Sequence, residues 1–217
     1  VIVDFISYNS INTSEIINLF PHTKYILIST AWKKPNNEKL FKNEISYISK
    51  KRAAEEIVFK SRVNNPSNMV IRLPIVLGIG DHTNRTIFFR EKKVIYLFET
   101  DIQINFCWKN DVTKFVIKEI LSKQKINKSI VYPPMYFKVK LSDYIRIQIK
   151  IEELECQIKK ITFENSLKSH DFQNYLNNIG QNLYYPIKIF GKIKMKVATL
   201  QKLEECFLQL KNNEQLK

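Results

Sequence analysis

The sequence predicts an α/β fold built on parallel strands, and three observations carry that prediction. Short apolar runs of strand length alternate with helix-forming stretches. The intervals between the first strands are long enough for crossovers rather than tight hairpins. The 217 residues, 44% hydrophobic and 26% charged, supply apolar mass for one core, with at most a small appendage.

Taken in order, Val1 to Ile6 is an apolar run of strand length, and Thr13 or Ser14 is placed to cap a short helix from Glu15 to Phe20. Lys24 to Ser29 reads as a second buried strand, ending in small hydroxyl residues. Asn43 to Lys60 is the strongest helix, with Ala53-Ala54-Glu55-Glu56 inside it and neither Gly nor Pro. A turn at Asn64-Asn65-Pro66-Ser67 leads to a third strand, Asn68 to Leu73, which Pro74 halts. Beyond Thr83 the pattern predicts a short helix from Asn84 to Lys92, then strands from Val94 to Phe98 and Ile102 to Trp108 joined at Glu99-Thr100-Asp101. Asn110-Asp111 is placed to cap an amphipathic helix through Leu121. Ser129 to Tyr132 reads as a further strand, and Ser142-Asp143 as the cap of a helix starting near Tyr144. From Lys196 to Leu210, apolar residues at Leu200, Leu203, Phe207 and Leu210 form a helical stripe, which predicts core packing.

Composition narrows the function classes. No apolar run approaches the roughly 18 residues that span a bilayer, and no basic segment precedes a cleavable apolar stretch, so membrane insertion and secretion are not expected. Cys107, Cys156 and Cys206 lack paired short spacing and read as reduced, cytosolic thiols. His22, His82 and His170 stand apart from any Cys or carboxylate at ligand spacing, so no structural metal is expected. The formal net charge of +14 invites an anionic partner, but Lys outnumbers Arg and is scattered among Ile and Asn, as a coding bias produces. No specific nucleic-acid partner is expected from so unfocused a charge. With 4 Gly in all, the chain contains neither GxGxxG nor a P-loop.

Two features can carry chemistry. Tyr47 and Lys51 stand at i and i+4 on the long helix and share a face. A cation beside a phenol favours the phenolate, bringing a group of pKa near 10 toward a useful proton-exchange range. The same spacing recurs at Tyr136/Lys140 and Tyr184/Lys188, so spacing alone leaves an ordinary exposed pair as the alternative. Ser29-Thr30 ends an apolar strand, and the carboxyl ends of parallel strands form a ligand crevice. A hydroxyl there can hold a substrate oxygen, or it can satisfy the local backbone.

Together these segments resemble a known family. Val1 to Tyr8, Tyr25 to Thr30, the Tyr47-x-x-x-Lys51-Arg52-Ala53-Ala54-Glu55 stretch and Arg72-Leu73-Pro74-Ile75-Val76-Leu77-Gly78-Ile79-Gly80-Asp81 follow one another as in extended short-chain dehydrogenases/reductases, more narrowly the NAD-dependent epimerase/dehydratase family. Phe106 to Val112 is similar to that family's later strand, which ends in an Asp-Val pair opening a helix. The resemblance covers roughly residues 1 to 150. It implies a partial Rossmann-type parallel sheet with helices on both faces, over residues 1–82, and a smaller C-terminal α+β substrate-side region, 83–217, interleaved with the last sheet strands. It implies NAD or NADP as cofactor, a small hydroxyl-bearing substrate for which a nucleotide sugar is the family expectation, and a cytoplasmic enzyme, with a homodimer left open.

Carried onto this chain, the resemblance implies that Thr30 holds the reacting oxygen, Tyr47 exchanges its proton, and Lys51 lowers the phenol pKa and holds the nicotinamide ribose. Phe5, Ile6 and Ser7 would lie along the cofactor, and Pro74 and Ile75 would meet its nicotinamide end. Ile75 stands where the family often has Asn. Asp81, His82 and Arg85 fall where the substrate-facing segment begins, and Arg85 or Arg90 could grip a phosphate or carboxylate, the alternative being a capped helix start with a surface Arg. The family's opening Gly-rich βαβ unit, which seats the pyrophosphate, has no counterpart in these residues. The chain therefore reads as the C-terminal two-thirds of such an enzyme, from a partial or split gene, with impaired dinucleotide binding and Val1 to Ile6 left as an apolar sheet edge. The rival readings are a non-catalytic relative that senses a dinucleotide or binds a protein, and a nucleic-acid-binding module.

Overall fold

The computed structural model describes residues 1–7, 9–33, 42–80, 85, 89–90, 92–122, 129–177 and 196–215. In chain order the first elements are β1 (Ile2–Asp4), α1 (Ser10–Leu19), β2 (Tyr25–Thr30), α2 (Lys42–Ser61) and β3 (Met69–Leu73). They are followed by β4 (Ile75–Leu77), β5 (Val94–Phe98), β6 (Gln103–Trp108), α3 (Lys109–Leu121), β7 (Ile130–Val131) and β8 (Met135–Lys140). The chain ends with α4 (Leu141–Glu152), β9 (Gln157–Ile161), α5 (Phe163–Lys168), α6 (His170–Asn177), β10 (Lys196–Val197) and α7 (Leu200–Gln215).

The chain divides into two compact units. The first holds Val1–Pro74 and Asn110–Pro134; the second holds Ile75–Lys109 and all the described residues after Pro134. The first unit is the α/β layer that the strand and helix alternation predicts. Its sheet has the order β1-β2-β3-β7 with every pairing parallel. All six residues of β2 and all five of β3 are buried, so both faces of these strands are covered, as expected of a parallel sheet in an α/β layer. On one face Tyr25, Leu27 and Val70 pack with Ile17 of α1 and Ala54 and Val58 of α2. Lys24 Nζ donates to the Glu119 carbonyl (2.6 Å) in the last turn of α3, where the helix dipole favours a cation.

The second unit carries a mixed sheet, β10-β8-β6-β4, with β6 and β8 antiparallel and the outer pairs parallel. Phe106 and Phe137 face each other across β6 and β8 and stack at 4.9 Å. Tyr144 of α4 meets Phe106, Phe89 and Phe207 edge-on, and its hydroxyl donates to the Arg85 carbonyl (3.0 Å). A second aromatic cluster, Tyr96, Phe98, Phe163, Phe172 and Tyr175, lies by the parallel pair β5-β9. No helix among the described residues is long and apolar enough to cross a membrane.

Several boundaries differ from the sequence expectation for identifiable reasons. The first strand stops at Asp4 rather than Ile6, because the Asp4 carboxylate takes the Ile6 and Ser7 N–H groups and turns the chain. The first helix starts at Ser10, not Glu15, since Asn9 is the cap and accepts from Asn12 N–H (3.0 Å). Ser142 and Asp143 do not cap α4. That helix already starts at Leu141, and Asp101 supplies the acceptor for the Ser142 N–H (3.2 Å). Helix α3 starts at Lys109, ahead of Asn110-Asp111. Lys196 does not open the last helix: Thr199 caps α7 at the Lys202 N–H (3.2 Å), while Lys196 and Val197 pair with β8. The strands before and after residues 99–101 form no hairpin, because β5 pairs with β9 and β6 with β4 and β8. Most of the helix expected from Asn84 to Lys92 lies outside the described residues; Phe89 and Arg90 are in a turn.

Candidate active site

Four-residue spacing brings Tyr47, Lys51 and Glu55 to one face of α2. Lys51 is 3% exposed, and its ammonium donates to the Ser7 carbonyl just past β1 (2.8 Å) and the Ile28 carbonyl near the end of β2 (2.9 Å). A buried cation thus bridges the carboxyl ends of two adjacent parallel strands, where open α/β sheets place ligands. Burial lowers the ammonium's pKa, and the charges of Asp4 and Glu55 oppose that shift without cancelling it.

Thr30, the last residue of β2, is buried; its Oγ1 accepts from the Trp32 N–H (3.2 Å). The half-buried Tyr47 ring meets the Trp32 ring edge-on at 6.2 Å, so one tryptophan touches both predicted site residues. Arg52, the residue after Lys51, fixes this end of β2 by donating to the Thr30 and Trp32 carbonyls (both 2.9 Å). The Ala31 N–H donates to the Leu73 carbonyl (2.8 Å), which ties the end of β2 to the end of β3.

Beneath these residues lies a charged network. Glu55, 1% exposed, accepts from Ser29, Arg52 and Arg72, the last through Nε (3.0 Å) and Nη2 (2.5 Å) in a bidentate pair. Arg72 Nη1 reaches the Tyr132 hydroxyl (3.2 Å). Burial works to lower the Arg72 pKa, but its bonds to Glu55 and Tyr132 outweigh burial and raise it. Burial dominates at Arg52, whose pKa is lowered.

The other predicted residues are dispersed in their surroundings. Phe5 and Ile6 are exposed at the end of β1, and Ser7 is buried with its carbonyl on Lys51. Pro74 is buried at the close of the first unit. Ile75, 3% exposed, opens β4 in the second unit, opposite Phe106 of β6. Arg85 lies in the second unit, with its carbonyl on Tyr144; Asp81 and His82 are outside the described residues. Sequence reasoning did not single out Asp4, Tyr25 or the two arginines around Glu55. The signal for Asp4 was there: a carboxylate within an apolar strand needs buried partners.

Parallel strands in sequence order β1-β2-β3, with helices between them and a Tyr-x-x-x-Lys pair on the second, form a Rossmann-type α/β layer. No family model matches the sequence, and no curated protein sequence matches it. Solved structures do match in fold. UDP-glucuronic acid 4-epimerase from Bacillus cereus, crystallised with UDP-glucuronic acid and NAD, superposes with a TM-score of 0.55 at 15% identity, covering 93% of this chain and 61% of its own. dTDP-4-dehydrorhamnose reductase from Bacillus anthracis, in complex with NADP, gives 0.56 at 12% identity, covering 94% of this chain and 71% of its own. L-threonine dehydrogenase from Clostridium difficile gives 0.53 at 13% identity, covering 94% and 68%. The chain therefore has the fold of NAD(P)-dependent epimerases and reductases, and it spans less than two thirds of the length of the first of them.

Proposed function

We propose that the first unit carries the proton-transfer centre of an NAD(P)-dependent epimerase, dehydratase or reductase acting on a hydroxyl-bearing substrate, with a nucleotide sugar as the first class to test. The observation that carries this reading is the Lys51 ammonium, buried between the Ser7 and Ile28 carbonyls one helical turn beyond Tyr47. Burying that ammonium forfeits the hydration of its charge, at a cost of several kcal/mol that its two carbonyl bonds offset in part.

The donor set fits a nicotinamide ribose. An ammonium suits hydroxyl oxygens, and Phe5 and Ile6, exposed just ahead of Ser7 in the chain, offer apolar surface to a flat ring. When bound, the dinucleotide supplies hydride transfer. The chain's own residues supply the rest. Thr30 Oγ1 already accepts from Trp32 N–H, which leaves its O–H to donate to a substrate oxygen. Tyr47, seated on Trp32, gives or takes the proton of that oxygen, and the Lys51 charge stabilises its phenolate. Arg52 holds the carbonyl backbone of Thr30 and Trp32, so the hydroxyl and the phenol keep one spacing.

The test is turnover of NAD(P)-dependent epimerase and reductase substrates by the full-length protein. Tyr47→Phe is expected to lower kcat by about 10²- to 10⁴-fold, the usual contribution of a general acid/base, with NAD(P)H binding retained by fluorescence titration. Unchanged turnover contradicts the catalytic role. Dinucleotide binding without turnover in the wild type favours a sensing relative of the same fold.

A further inference from the structure

Just before Lys51's carbonyl cradle lies a cluster that the catalytic reading does not use. Asp4 closes β1 and is 6% exposed, yet its carboxylate is fully engaged. Oδ1 accepts from the N–H groups of Ile6 and Ser7 (both 2.8 Å), and Oδ2 accepts from the Tyr25 hydroxyl on β2. An aspartate taking the N–H groups two and three residues ahead forces the chain into a turn. That turn ends at Ser7, whose carbonyl faces Lys51 Nζ at 2.8 Å.

We propose that Asp4 is a positioning residue for Lys51: its carboxylate folds residues 5–7 so that the Ser7 carbonyl meets the ammonium, and it brings a negative charge to that buried cation. The proposal rests on the reading of Lys51 as part of the active centre. Among the described residues, the carboxylates acting on the ammonium include Asp4 from the end of β1 and Glu55 on α2 itself, the latter shared with Arg52 and Arg72. Tyr25 faces Asp4 from β2 and stays protonated, since burial and the Asp4 charge push its phenol pKa far up. Burial would raise the Asp4 carboxyl, but the side-chain bonds from Ser7 and Tyr25 and the two backbone N–H groups hold it below the ordinary value, so it is charged at neutral pH. A lysine tied only to carbonyls would lose more of its charge to burial, and Asp4 and Glu55 are what limit that loss.

The experiment reads the ammonium itself, in the chain without cofactor or substrate. Lysine labelled with ¹³C at Cε, with the Lys51 signal assigned by Lys51→Met, is titrated by NMR. In Asp4→Asn, which keeps an acceptor for the two N–H groups but loses the charge, the Lys51 midpoint is expected to move down. Glu56→Gln, an exposed carboxylate of the same helix, leaves it in place. A merely structural Asp4 changes the melting temperature and leaves the midpoint where it was, which overturns the proposal. Should Asp4→Asn not fold, the wild type and Tyr25→Phe decide. The Lys51 signal is expected to inflect at the Asp4 midpoint, and removing the Tyr25 hydroxyl is expected to move both upward together. An inflection that is absent, or that stays behind when the Asp4 midpoint moves, overturns it. Because no turnover is measured, failure here sinks the positioning role of Asp4 alone, whereas failure of the Tyr47→Phe test sinks the catalytic reading.

Discussion

Glu55 and Glu56 are adjacent in the sequence and opposite in fate, and the difference comes from helical phase. Glu55 stands four residues past Lys51 and points at the sheet, where it meets Ser29, Arg52 and Arg72; Glu56 faces solvent. The phase was legible once Tyr47 and Lys51 were placed on one face. The partners were not, because Arg72 comes from a strand beyond the next turn and nothing local announces that pairing. Among the described residues two guanidinium groups share this buried carboxylate, so removing it takes a charge partner from both. Glu55→Gln is expected to cost about 3–5 kcal/mol, as for other buried pairs broken on one side, read from urea unfolding. Exchanging Glu55 and Arg72 together for apolar residues of similar volume is expected to recover much of that loss. An unchanged denaturation midpoint in the single variant contradicts the burial of the pair.

Elements with a regular pattern were legible, and those whose register comes from a distant partner were not. Strands β2 and β3 announced themselves by the apolar runs at residues 25–28 and 69–71, since both of their faces are covered. Strand β8 alternates, with Phe137 and Val139 buried between exposed Lys138 and Lys140, yet the neighbouring prolines masked it. Strand β9 exposes four of its five residues, so its pairing with β5 left no hydrophobic period to find. The turn after β4 tests local geometry. Gly78 has φ of 155°, and a Cβ there would lie 2.6 Å from Lys109 Cβ at the start of α3. Gly78→Ala is expected to destabilise by about 1–3 kcal/mol through overpacking, measured by thermal or urea unfolding. A variant as stable as the wild type contradicts this close approach.

At the scale of the whole chain, the α/β character and the parallel run of the first three strands were legible in the sequence, whereas their order in the sheet and the return of the chain to the first unit were not. The first unit reclaims Asn110–Pro134 after the chain has left it at Pro74, a return that only long-range pairing of β7 with β3 fixes. Stability of the folded chain against acid belongs to this scale. The Asp4 pKa is lowered in the folded state from an ordinary value of 3.8, so the folded state holds fewer protons than the unfolded one in the window just below that value. Its contribution is present above about pH 4 and is lost as pH falls through the lowered pKa. Unfolding free energy is therefore expected to fall with pH in that window, with a shallower slope in Asp4→Asn. Equal slopes in the two proteins contradict the assignment.

The most direct measurement is a crystal structure of the full-length protein with NAD(P) and an alcohol or nucleotide-sugar ligand. The Tyr47 phenol and the Thr30 hydroxyl are both expected within about 2.6–3.2 Å of one ligand oxygen, with the Lys51 ammonium turned toward the ribose. A ligand oxygen that meets only one of the two hydroxyls, or a dinucleotide that leaves Lys51 untouched, contradicts that arrangement.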